Sequence, residues 1–365
     1  MTSPMHSPLQ SPLQPVMRSP LEFRRRGGFN IASTNPSAYY DRSVLASMFQ
    51  DSAGTIAIPD SGYSIGYGGD LSGGSNNQIQ ATAGKRPILM QSPVGGVRNR
   101  LTYTEDLTNA NWVKTGATAS AHSITTTATT SSHRAVQSAS VVVGTNSLTV
   151  RAKANGYNFL QLRVNGEGSD TGSAVGNSFC FFNLSSGSIG SSGGGTINSI
   201  SSAGDGYYDC TMKYTGVGAG TVSQQICVYN IDTGVAFTSW LADGVGGLLI
   251  QRVQTENGGP SSYQKVTNAY TVTEAGVPSV WRAKFDAVDD DLGTTFGASL
   301  GAGCTVCRSL PGTGASITTG VTLTATYTDN VDAHALLIYT AAQWAALDAG
   351  KIAKITAWLN AKAGV

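Results

Sequence analysis

Four histidines, His6, His122, His133 and His334, are the side chains of this chain best suited to move protons near neutral pH. His6 lies among prolines, His122 and His133 among serines and threonines, and His334 beside an apolar terminal run. None belongs to an HExxH zinc helix, a nucleophile elbow or a phosphate-cradling glycine loop. Cys304 and Cys307 form a CxxC, half of what a four-ligand zinc site takes, and no second CxxC or histidine pair lies near it in sequence. Packing in a sheet or loop is the expected role of both. Asp289, Asp290 and Asp291 put oxygen ligands in a row, but a calcium ion takes six or more, so the triplet reads as a solvated turn. The expectation is a protein that is not an enzyme and carries no metal or cofactor.

The elements around these residues are strands. Over 365 residues only 12% are charged and the net charge is +1, while 40% are hydrophobic, which argues against disorder and for a mainly β, turn-rich fold. Near-neutrality gives no pull toward nucleic acid. No run of 18 apolar residues and no apolar secretory leader occurs, so no membrane insertion is expected, and synthesis and retention in a cytosol are. Five cysteines, an odd number at irregular spacing, read as buried thiols rather than a disulfide framework.

From Asn99 to about Tyr270, NSLTVRAKA, YNFLQLRVN, SFCFFNL, YYDCTMKYTG, VSQQICVYNI and GGLLIQRVQTE alternate apolar with polar residues. That pattern predicts an antiparallel β-sandwich of jelly-roll type. The glycine-rich stretch from Gly187 to Gly206 is expected to hold a loop and a thin strand. A helical turn or two is expected at PSAYYDRSVLASMFQD. At the end of the chain Ala341, Trp344, Leu347, Ile355, Trp358 and Leu359 fall near helical spacing, with Thr340 as N-cap and Gly350 as interruption, predicting a short two-part C-terminal helix on a sheet.

Residues 1–28 form an extended N-terminal arm. Proline at positions 4, 8, 12, 15 and 20 excludes helix. Met5, Leu9, Leu13, Met17 and Leu21 recur every four residues. In an extended strand they project the same way, about 13 Å apart, as a comb, and the even-numbered prolines blunt one backbone edge only. Such a strand suits addition to another protein's sheet, and Arg24, Arg25 and Arg26 add contacts to an acidic surface. These eight residues are the expected partner-binding anchor.

LTYTEDLTNANWVKTGATAS, SHRAVQSASVVVGTNSLTVRAKANGYNFLQLRV, GDGYYDCTMKYT and GGLLIQRVQTENGGPSSYQKV together resemble a jelly-roll module, akin to carbohydrate-binding modules, that recurs in structural proteins of tailed bacteriophages. MFQDSAGTIAIPDSGYSIGYGGDLSGGSNN, WRAKFDAVDDDL and LLIYTAAQWAALDAGKIAKITAWLNAKAGV resemble parts of laminin-G or concanavalin-like phage domains. The resemblance implies three units: the arm at 1–28, a split and shortened β-sandwich at 29–97 plus 278–365, and an inserted jelly roll at 98–277.

It further implies a virion protein, assembled in the bacterial host cytoplasm, of the fibre, spike or decoration type on head, collar or tail. Its partners would be capsid, connector, collar or tail proteins, with a homotrimer as the usual assembly. The alternative is adhesion to host-surface polysaccharide through aromatic rings stacked on sugars. Trp112, Tyr157, Tyr208 and Trp240 are the candidate glycan contacts, with Tyr207 beside them; in such modules Trp112 and Tyr207 also match core or edge packers.

Overall fold

The computed structural model describes residues 29–166 and 176–365. The arm, with Met5, Leu9, Leu13, Met17, Leu21, Arg24, Arg25 and Arg26, lies outside the described residues. The body is mainly β with antiparallel sheets and a short C-terminal helix. Among the described residues no helix is long and apolar enough to cross a membrane.

Two six-stranded sheets form a jelly-roll-like sandwich, built entirely from residues 113–257. Sheet I runs, in spatial order, Ser188–Gly193, Ser178–Asn183, Phe159–Gly166, Gly220–Tyr229, Arg134–Val141, Val113–Thr115. Sheet II runs Ile197–Gly204, Tyr207–Gly216, Gly144–Asn155, Gly247–Asn257, Ser123–Thr126, Ala117–Ser120. The alternation legible in the sequence decides which side chains meet: Leu160, Leu162, Phe182 and Ile226 of sheet I face Leu148, Val150, Met212 and Ile250 of sheet II in one core. Each such aliphatic side chain contributes about 1.5–3 kcal/mol on burial.

The segment from Gly187 to Gly206 holds two strands rather than one, Ser188–Gly193 and Ile197–Gly204, each at the edge of its sheet. Ile197 is exposed while Ile200 packs on the core, so a strand with few apolar residues still forms by pairing with Tyr207–Gly216.

Sheets III and IV come from residues on either side of that span. Sheet III orders Ala38–Asp41, Ala335–Tyr339, Gly301–Leu310, Gly314–Leu323. Sheet IV orders Met48–Phe49, Tyr67–Gly68, Gln78–Ile79, Leu292–Thr295, Thr326–Asp329. Sheet V, in the order Gln264–Asn268, Thr271–Glu274, Ile88–Pro93, Ser279–Lys284, joins strands from both regions, with one parallel pairing at Thr271 and Gln91.

Ala38–Asp41 corrects the helical turn expected there. Tyr40 enters a core with Phe296, Val306 and Ile338 on one face, while Tyr39 packs with Leu337, Tyr339 and Ile355 on the other. Although this strand is at the edge of sheet III, both of its faces are covered by apolar cores, so its residues show no helical stripe. Only a 3-10 turn at Leu45–Ser47 remains of the helix.

The C-terminal helix is in two parts, α1 at Ala341–Ala345 and α2 at Ala349–Ala363. Thr340 caps α1 in a capping box with Gln343. The break comes at Ala346–Asp348, where Asp348 starts α2 by accepting from Lys351 N at 2.8 Å, and Gly350 sits inside the first turn of α2. Helix α2 covers sheet III through Ile355 and Leu359, and Trp358 meets Tyr39 edge-on at 5.6 Å.

Candidate functional site

All five cysteines are free and buried. Burial pushes the Cys180, Cys227 and Cys307 thiols up to about 12. Cys304 and Cys307 sit on the same strand but pack in different cores, Cys304 with Tyr40 and Phe296, Cys307 with Tyr339 and Ile355. Opposite faces of a sheet cannot share a metal, so the CxxC is two packing residues.

The acidic triplet is rearranged. Asp286, Asp289 and Asp290 bring carboxylate oxygens within 4.8 Å of one another, whereas Asp291 turns to Gln80. Asp286 Oδ1 accepts from the backbone N–H groups of Val288, Asp289 and Asp290, which hold its carboxyl below the usual range and commit it to a turn. One spacing passed over in the sequence, Gly297-Ala298-Ser299-Leu300-Gly301, has the nucleophile-elbow pattern. It joins two strands instead of a strand to a helix, and Ser299 Oγ donates to the Leu323 carbonyl at 3.1 Å.

The aromatic candidates have other work. Trp112 is 1% exposed, belongs to the sandwich core and donates Nε1–H to the Tyr103 carbonyl at 3.0 Å, so it offers no face to a sugar. Tyr208 points inward against the same core, and its ring lies on Gly187, where an added Cβ would come within 2.6 Å. Tyr157 lies on Gly246 in the same way. Trp240 meets Tyr157 edge-on at 5.0 Å and His133 at 4.8 Å, and stacks on Tyr229 at 6.4 Å.

Tyr207 is different. Strand alternation turns Tyr207, Asp209 and Arg151 to the outer face of sheet II, opposite the core-facing Tyr208, Cys210 and Val150. On the third strand the register slips: Arg151 pairs with Arg252 but Ala152 pairs with Ile250, so Gln251 is an extra residue in a β-bulge. The bulge brings both Gln251 and Arg252 to one groove of about 380 Å³, with Tyr207 and Arg151 in its lining and Glu105, His122 and Tyr263 completing it.

Asp209 holds this groove together. Arg151 donates Nε–H and Nη2–H to its two oxygens at 2.8 and 2.7 Å, and Arg252 Nη2 reaches it at 3.3 Å. Burial alone would raise the Asp209 carboxyl, but the Arg151 hydrogen bonds and the charges of Arg252 and Arg151 outweigh that and hold it below the usual range. Arg252 lies over the Tyr263 ring at 4.8 Å, and Lys153 over Tyr207 at 5.7 Å. Tyr263 is fixed by a 2.7 Å hydrogen bond to Thr104, and Glu105 by Lys265 at 2.6 Å.

Two half-buried rings, planar guanidinium donors and carboxylate acceptors thus line one open, preformed surface. The readable signal was the break in alternation at Ile250-Gln251-Arg252-Val253, two polar residues between two core residues. Compared with protein-family models and with curated proteins, the chain matches none of them.

Proposed function

We propose that the chain is a structural protein of a tailed-phage particle, a fibre, spike or decoration, held by its N-terminal arm and displaying its β-sandwich body outward. One observation carries this reading: the residues that follow the arm are tied into the body at once. Phe29 packs among Ile31, Leu337 and Trp358, and Lys354 of α2 lies over its ring at 5.9 Å. Thr34 Oγ1 and Tyr339 OH share a 2.6 Å hydrogen bond beneath α2. An anchor made of Met5, Leu9, Leu13, Met17 and Leu21 would therefore be grafted directly onto the core of the body. The resemblance of the sequence to phage modules supports the same reading.

Deleting residues 2–26 is expected to abolish incorporation into particles while leaving the circular dichroism and melting temperature of the body unchanged. Normal occupancy of the truncated protein would sink the anchor.

The groove on sheet II favours a second reading, adhesion to host-surface polysaccharide, with Tyr207 rather than Trp112, Tyr157, Tyr208 or Trp240 among its contacts. Sugar hydroxyls both donate and accept, which suits the spare N–H groups of Arg252 beside the oxygens of Asp209 and Glu105, and the rings of Tyr207 and Tyr263 suit a pyranose face. In calorimetric titration with host polysaccharide, Tyr207→Ala and Arg252→Ala are each expected to weaken binding about tenfold, the equivalent of about 1.4 kcal/mol. Equal affinity of both variants and the parent chain would assign the binding elsewhere; absence of saturable binding would remove this reading.

A further inference from the structure

The outer face of sheet I carries a pair of charges with no ion-pair partner among the described residues. Arg134 stands opposite Cys227 and Arg163 opposite Gln225, one on either side of the strand Gly220–Tyr229. Their guanidiniums converge. Both donate Nη1–H to the same acceptor, Gln225 Oε1, at 3.0 and 3.3 Å. Both lie on the ring of Phe237, with Cζ 5.1 and 5.0 Å from its centroid. Arg163 is only 7% exposed, and it also donates Nη2–H to Asn177 Oδ1 at 2.8 Å. The Nε of each arginine is buried with no hydrogen-bond partner among the described residues. Neither arginine forms an ion pair among the described residues, although Arg98, Arg151, Arg252, Arg282 and Arg308 each do.

Two cations drawn out of water and sharing one neutral acceptor repel each other, and no described residue supplies the anion that normally accompanies a buried charge. Burial pushes the Arg163 guanidinium below the usual arginine range; the neighbouring Cys227 offsets part of that, and the charge of Arg134 adds to it. Guanidinium pairs are matched by a planar or tetrahedral oxyanion that accepts from two forks together. We propose that Arg134 and Arg163 form a receptor for an oxyanion, a carboxylate, sulfate or phosphate group, with Phe237 as its cover.

The cover can turn without unfolding the loop that carries it. Val235 on one side is held by Gln161 Nε2–H to its carbonyl at 2.8 Å, and Thr238 on the other bonds Tyr229 OH through both its N–H and its carbonyl at 3.1 Å. The Phe237 ring between these fixed points is 43% exposed, and Arg134 is half-buried, so the site opens by a side-chain rotation.

The test is thermal unfolding of the full chain titrated with sodium sulfate, with inorganic phosphate and with oligogalacturonate, each matched in ionic strength by sodium chloride. The expected result is a saturable rise in melting temperature with at least one of these probes. A shift with sulfate and phosphate alone identifies a free inorganic anion; a shift with oligogalacturonate at lower concentration identifies an acidic sugar. Arg163→Met is expected to abolish the saturable shift and to raise the melting temperature in chloride, because it removes a buried charge that repels Arg134; a purely structural arginine would do neither. Arg134→Met gives the same loss of the shift from the more exposed partner. Phe237→Ala, which removes the cover, is expected to move half-saturation to lower anion concentration. No saturable shift with any probe, or an undiminished shift in both arginine variants, would overturn the proposal.

Discussion

Replacing Asp329 by alanine is expected to destabilise the protein by about 3–5 kcal/mol, the range for removing one partner of a buried charge cluster. Asp329 is 1% exposed and lies between sheets III and IV. Arg308 donates Nε–H and Nη2–H to its Oδ1 at 3.3 and 3.2 Å. Arg42, 3% exposed, adds a second positive charge from the end of Ala38–Asp41 and is itself held by Gln78. Burial pushes the Asp329 carboxyl up, and the two arginines pull it back toward the charged form. Without the carboxylate, two guanidiniums remain in a site that water does not reach, and that residue of charge, rather than one lost contact, sets the size of the effect. Urea unfolding followed by fluorescence checks it. A double variant, Asp329→Leu with Arg308→Met, should recover part of the loss because it removes charge of both signs. A loss below about 1 kcal/mol for Asp329→Ala would show that the cluster is hydrated.

The second large effect is one of pH. His334 is 2% exposed, and its Nδ1–H donates to the Trp281 carbonyl at 2.7 Å, which fixes the neutral tautomer with the proton on Nδ1. Burial lowers its pKa from 6.5 to about 4; the Trp281 bond and Asp332 work against that shift, while the charges of Arg282 and Lys362 add to it. Between these two values the unfolded chain takes up a proton that the folded chain refuses. Stability from this group is therefore complete above pH 6.5 and falls as pH drops toward about 4, by about 3 kcal/mol in all. Urea midpoints measured across that window should show the decline. His334→Gln, which keeps an N–H donor for Trp281 but has no proton to gain, should flatten it. An equal decline in His334→Gln would assign the acid sensitivity to the carboxylates instead.

The jelly-roll-like sandwich was legible because its strands are long and alternate cleanly: NSLTVRAKA became Gly144–Asn155, and YYDCTMKYTG became Tyr207–Gly216. Ala38–Asp41 was not, since a strand buried on both faces loses the alternation that marks it, and AYYD next to a serine-rich stretch mimics a helix start. The groove was half legible. Tyr207 was singled out as an aromatic, and Asp209 lies two residues on along the same strand, but Arg151 and Arg252 come from two other strands far away in sequence, and only pairing in register brings them together. Trp112, read both as a candidate glycan contact and as a match to a core packer, plugs the sandwich core. The Arg134 and Arg163 pair had no sequence signal, because each arginine alone is an ordinary polar position on an alternating strand.

The pairing of Ala38–Asp41 with Ala335–Tyr339 has a mechanical side. Ala38 lies opposite Ile338 and Asp41 opposite Ala335, so the first strand of the body runs antiparallel beside the last. A load entering through the N-terminal arm while the rest of the body resists would draw Ala38–Asp41 along its own axis. Its hydrogen bonds to the neighbouring strand would then bear the load together, in shear, instead of opening one after another like a zipper. Tyr39 and Tyr40, locked into cores on opposite faces of that strand, act as barbs against sliding. A four-residue strand that contributes little area to the fold would in this way set the force at which the arm and the body part.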